Sequence, residues 1–68
     1  MIRLTKERTK LGLSQAALSR KAELNASTVS AIERGRMRPW PGQAAKIEAT
    51  MKAAGWNGES CLFEEVEE

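Results

Sequence analysis

The sequence predicts an all-α chain, a compact domain of five short helices in 68 residues. Three observations predict it. β-branched and aromatic residues are few and never alternate with polar ones, so strand signals are nearly absent. Glycines and helix-starting residues punctuate the chain at helix-length intervals. Apolar residues make up 41% of the sequence, enough for one small core and marginal for anything larger.

The first helix is expected from about Arg3 to Leu11, stopped by Gly12 just beyond its end. Ser14 suits the N-cap of a second helix, Gln15 to about Ala22, rich in the strong helix formers Ala and Leu. After Glu23 and Leu24, Asn25 suits the N-cap of a third helix, Ala26 to about Arg34, closed by Gly35. The stretch from Arg36 to Gly42 contains two prolines around Trp40 and reads as a loop. A fourth helix is expected from about Gln43 to Ala54, ended by Gly55, with a fifth helical turn near Asn57 to Phe63. The domain then covers 1–63, and 64–68 form an acidic tail, read as a solvated, frayed end.

Composition excludes several chemistries. A lone cysteine, Cys61, allows no intrachain disulfide, and nothing cationic beside it suggests an activated thiol, so it is expected to be small, buried or half-buried. Without histidine, and without a co-ligand for Cys61, a thiolate or imidazole metal site is not expected. Neither a catalytic constellation nor a cofactor or small-molecule site is evident, so the chain is not expected to be an enzyme. No apolar run approaches a membrane span of roughly 18 residues, and the first ten residues are too charged for a secretory signal. The expectation is a cytoplasmic protein.

Charge is distributed unevenly. The net charge is +2, but residues 1–58 hold all 11 bases and four acids, a balance of +7, while 59–68 hold five acids and no base.

The second and third helices are separated by only about three residues, too few for comfortable antiparallel packing. A tight angled pair follows, the geometry of a helix-turn-helix. Leu18 and Ala22 share a face of the second helix, Leu24 plugs the turn, and Val29 and Ile32 line a face of the third. Ser19 is small where crossing helices approach.

Two charges fall on inner faces. Leu4 and Leu11 mark the buried seam of the first helix, and Arg8 lies between them, four residues from Leu4. Glu33 stands four residues from Val29 beside the inner face of the third helix. Either charge alone is costly to bury, but together they can form a bidentate pair bridging the first and third helices. Snorkelling of both to solvent is the alternative.

Arg8, the run Leu11-Gly12-Leu13-Ser14-Gln15, Leu18, Val29, Ile32 and Glu33-Arg34-Gly35 stand in one register. Together they resemble the phage-repressor and Cro-like, or xenobiotic-response-element (XRE), DNA-binding family. Arg38-Pro39, Lys46-Ile47 and Leu62-Phe63 look like that family's loop, fourth helix and fifth helix. The resemblance covers roughly residues 2–63. It implies a five-helix, lambda-repressor-like domain that binds operator DNA as a homodimer, with Arg8 and Glu33 as a buried ion pair. It also implies that Gln15 holds the DNA backbone and braces the recognition helix.

With the third helix in the major groove, its outward residues are Ser27, Ser30, Ala31 and Arg34, with Asn25 and Ala26 at the leading end. Ser27 can make one hydrogen bond, and Ala26 or Ala31 can meet a thymine methyl. Asn25 can pair with adenine or serve as the N-cap. No Gln or Arg occupies the central positions, so shape and phosphate contacts are expected to supply much of the selectivity. Ser14, Gln15 and Thr28 are candidate phosphate contacts, as are Arg34, Arg36 and Arg38 beyond the helix. Trp40 is expected to pack over the fourth helix, the alternative being the sugar-phosphate edge. Where the family has glycine in the turn, this chain has Glu23, which implies a strained or differently wound turn.

Two functions compete. One is a sequence-selective transcriptional regulator, a small phage-type or bacterial repressor on double-stranded DNA. The other is a protein-interaction module, an antitoxin or adaptor, retaining the fold with weak DNA readout.

Overall fold

The computed structural model describes residues 1–66. Among these, four α-helices follow in order: α1 (Arg3–Lys10), α2 (Gln15–Lys21), α3 (Ala26–Glu33) and α4 (Pro41–Ala53). Every helix ends the same way. A residue of positive φ follows the last turn, and the next N–H reaches back to a carbonyl five residues earlier, satisfying an otherwise orphaned acceptor. Leu13 N–H donates to Arg8 O at 3.1 Å, Leu24 to Ser19 at 2.8 Å, Arg36 to Ala31 at 2.9 Å and Trp56 to Met51 at 3.0 Å. Gly12, Gly35 and Gly55 hold the positive φ at three of these ends. At the fourth, the end of α2, Glu23 holds it at φ 59°. The unusual turn foreseen from the missing glycine is therefore present, at a left-handed residue carrying a full side chain.

Helix starts divide into two kinds. Ser14 caps α2, its hydroxyl accepting from Ala17 N–H at 3.0 Å. Asn25 occupies the N-cap position of α3, but its side chain makes no capping bond. α4 begins two residues earlier than the sequence implied, because Pro41 takes the first helical position, where its missing N–H is no loss. Gln43 Oε1 accepts from Trp40 N–H at 3.0 Å and fixes the entry.

The fifth helix is not formed among the described residues. Gly58 has φ 79°, and Glu59 N–H turns onto Asn57 Oδ1 at 3.0 Å, which breaks any helix at its start. Beyond it the acids Glu59, Glu64 and Glu65 come without a base, a poor composition for the end of a helix. The segment instead makes a turn at Leu62 and Phe63 and lies against the start of α1. Leu4 N–H donates to Leu62 O at 2.7 Å and Arg3 N–H to Glu64 O at 2.9 Å. These are orphan donors of the first turn of α1, whose N-cap residue, Ile2, supplies no side-chain bond. An antiparallel bridge between Ile2 and Glu65 continues the pairing.

Glu64 and Glu65, expected at a frayed end, are thus anchored through their backbone. Glu64 also forms an ion pair with Arg3 at 3.0 Å. Glu67 and Glu68 lie outside the described residues.

The core collects Ile2, Leu4, Leu18, Val29, Ile32, Ile47, Met51, Trp56 and Leu62, with Leu11, Leu13, Leu24, Met37 and Phe63 packed against it. Leu18, Ala22, Val29 and Ile32 are buried as the helical periodicity required. Ser19, also buried, turns its hydroxyl back to Gln15 O, which lets α2 lie close on its neighbours α3 and α4 without an unsatisfied oxygen. Trp40 and Cys61 depart from expectation. Trp40 is 70% exposed, since the prolines on either side hold it at the mouth of α4 rather than over it. Cys61 is exposed because no helix forms there, and the neighbouring Leu62 takes the inward position.

Candidate nucleic-acid interface

The position of α3 is set by Glu33. Its side chain is only 4% exposed and accepts four hydrogen bonds. Arg8 Nε reaches Oε2 at 2.8 Å, and Arg8 Nη2 reaches Oε1 at 3.0 Å, the bidentate geometry of a guanidinium on a carboxylate. Thr5 Oγ1 donates to Oε1 at 2.9 Å, and Gln15 Nε2 donates to the same oxygen at 3.0 Å. The remaining arm of Arg8, Nη1, donates to Leu13 O at 2.8 Å in the α1–α2 connection. One carboxylate on α3 is thereby fastened to α1, to the start of α2 and, through Arg8, to the loop between them. No buried side-chain nitrogen or oxygen among the described residues lacks a partner.

The Arg8–Glu33 bridge expected from helical spacing is formed. Thr5 and the Leu13 carbonyl were missed. Thr5 lies three residues before Arg8 on the same face of α1, a spacing that placed it beside the guanidinium. Gln15 braces α3 through Glu33, as the resemblance implied. Its amide turns the N–H donor to Glu33, as a carboxylate partner demands.

With its inner face fixed by Val29, Ile32 and Glu33, α3 turns the rest outward. Asn25, Ala26, Ser27 and Arg34 are exposed, and Thr28, Ser30 and Ala31 are half-buried. Asn25, free of a capping bond, keeps both its amide oxygen and its amide nitrogen available. Ser14 is exposed at the start of α2, its oxygen accepting the cap bond while its O–H remains a donor. Gln15 is half-buried beside it.

Directly after α3, Arg34, Arg36 and Arg38 are all exposed. The ion pairs formed by basic side chains among the described residues are Arg3–Glu64, Arg8–Glu33 and Lys10–Glu7, so none of these three arginines is neutralised there. No acid occurs between Arg34 and Ile47. The outward face of α3 is therefore made of small side chains and ends in an uncompensated basic loop. That shape allows close backbone approach to a polyanion.

A helix-turn-helix family profile matches residues 4–52. The chain belongs to the XRE-type helix-turn-helix family. This is a family of DNA-binding regulatory domains, typically without enzymatic activity, and it implies DNA as the partner. Among curated proteins and among solved structures, nothing matches the chain. The matched span includes α1, the α2–turn–α3 unit and most of α4, and it stops before the non-helical segment that stands in place of a fifth helix. The helix-turn-helix unit is α2 and α3 with Ala22–Asn25 between them. No helix among the described residues is long and apolar enough to cross a membrane.

Proposed function

We propose that this helix-turn-helix domain is a sequence-selective transcriptional regulator, a repressor that binds operator DNA as a homodimer in the cytoplasm. The observation that carries the reading is the outward face of α3, small at its centre and followed by three arginines that form no ion pair among the described residues. α3 enters the major groove. Asn25 reads a base edge, and Ala26, Ser27, Ser30 and Ala31 pack closely, the alanines against thymine methyls. Ser14, Gln15, Thr28, Arg34, Arg36 and Arg38 hold phosphates and fix the register.

Size supports the dimer. The described residues span 25 × 24 × 20 Å, while half-sites one turn apart are separated by roughly 34 Å, so one copy reads one half-site.

The test is titration of labelled duplex DNA at several salt concentrations. Affinity is expected to fall with a log–log slope of about −0.9 per phosphate neutralised, and Arg36→Ala or Arg38→Ala each to reduce the slope by about one contact. A specific observation favours the adaptor reading as the competitor: an open groove of about 420 Å³ lined by Ile2, Ile32, Met37, Pro39, Cys61 and Phe63, among others. Duplex affinity no better than that of a generic basic protein, with capture of a protein partner lost on filling this groove, supports the adaptor instead.

A further inference from the structure

Trp40 is the large apolar side chain that the fold leaves most in water, 70% exposed against 7% for Trp56. An isolated exposed leucine needs no explanation, but an indole held out of every apolar contact region does. Trp40 belongs neither to the core cluster nor to the apolar groove beside Met37 and Pro39. Its backbone is held from both sides, by Pro39 before it and Pro41 after it, and by the 3.0 Å bond from its N–H to Gln43 Oε1. A mobile loop would let the ring collapse onto the protein; this one presents it.

Its neighbours along the chain point to the class of partner. Arg34, Arg36 and Arg38 precede it, all exposed and unpaired among the described residues, and the next acid is Glu48. A second copy of the same loop would bring like charges together, so charge disfavours a Trp40-to-Trp40 contact between subunits. The combination of a flat apolar face, one N–H donor and several guanidinium groups fits a polyanion that offers both sugar faces and phosphate oxygens.

We propose that Trp40 is a DNA-contacting residue. Its ring packs on a deoxyribose at the edge of the groove read by α3, and its Nε1–H donates to a phosphate oxygen. This rests on the DNA-binding reading above. The indole makes no capping bond, since it has no acceptor, so its removal leaves α4 intact.

The test uses the whole chain and a duplex selected for binding. Trp40 is open to the neutral quencher acrylamide and Trp56 is shielded, so duplex addition is expected to abolish most of the quenching. Trp40→Ala is expected to weaken duplex binding about tenfold. Trp40→Phe, which keeps a flat ring and loses the donor, falls between, and neither variant alters the salt slope or the melting temperature. If Trp40→Ala binds within about twofold of the parent, or Trp40 stays open to quencher in the bound state, the assignment is overturned. Shielding that rises with protein concentration and without DNA also overturns it, in favour of a protein contact. Absence of any duplex binding overturns the DNA reading itself; binding with an accessible Trp40 overturns this proposal alone.

Discussion

Glu33 is the residue that fastens α3 to the rest of the fold. A carboxylate this deeply buried is tolerable only because Arg8, Thr5 and Gln15 together donate four hydrogen bonds to it. Arg8→Ala removes two of them and leaves an uncompensated buried charge, so a loss of about 3–5 kcal/mol is expected in urea denaturation. A loss under about 1 kcal/mol would show that water replaces the guanidinium without difficulty. The pair was legible in the sequence because helical spacing fixes which face a residue occupies. The Leu13 carbonyl was not, because a backbone acceptor carries no residue-type signal and its position depends on the loop. Asn25 shows the opposite case. Its amide makes no capping bond, so Asn25→Ala is expected to change stability by less than about 0.5 kcal/mol. The same variant is expected to lose about 1–3 kcal/mol of discrimination at one base pair, measured by competition between matched and substituted duplexes. Glu23 is strained at φ 59°. Glu23→Gly relieves about 1–2 kcal/mol of left-handed penalty against the greater entropy of an unfolded glycine, and a net gain of roughly 0.5–1 kcal/mol is expected in thermal melts. An unchanged or lowered melting temperature would mean that the Glu23 side chain contributes something the turn geometry does not show.

The four helices were legible from their stops, since glycine or its stand-in at each end imposes the same carbonyl-satisfying turn. Boundaries shifted where a residue has two readings. Pro41 ends a helix in the interior but begins one at the first position, so α4 starts at Pro41 and carries Trp40 out to its mouth. The sequence suggests a fifth helical turn near Asn57 to Phe63, and Leu62-Phe63 also resemble the family's fifth helix. The segment's real partner is the first turn of α1, sixty residues earlier, and a pairing between distant segments leaves no local periodicity. This exchange has an energetic consequence. Leu62 is fully buried, so Leu62→Ala is expected to cost about 2–5 kcal/mol, enough to unfold much of a domain this small. Glu64→Gln, which touches only the exposed pair with Arg3, is expected to cost less than about 1 kcal/mol. Circular dichroism melts of the two variants separate the roles. Equal effects would mean that the terminal segment is held by charge rather than by burial.

For the molecule as a whole, the small net charge conceals an arrangement. Glu64 of the terminal segment meets Arg3 beside α1, while the arginines that follow α3 on the loop to α4 form no ion pair among the described residues. The basic residues were visible in the sequence; which of them stay unpaired was not, because that depends on where the acidic segment folds. If α3 enters the major groove as proposed, the serines and alanines at its centre leave Asn25 as the main base reader, so selectivity is expected to be modest per base pair and to draw on DNA shape at untouched positions. The central claim is that α3 reads sequence. Selection of bound duplexes from a random pool tests it most directly, run in parallel with the intact chain and with Asn25→Ala/Ser27→Ala. A recurrent site is expected for the intact chain, palindromic if two copies bind, with enrichment lost at the Asn25-facing position in the double variant. An unenriched pool, or the same site selected by both proteins, contradicts it.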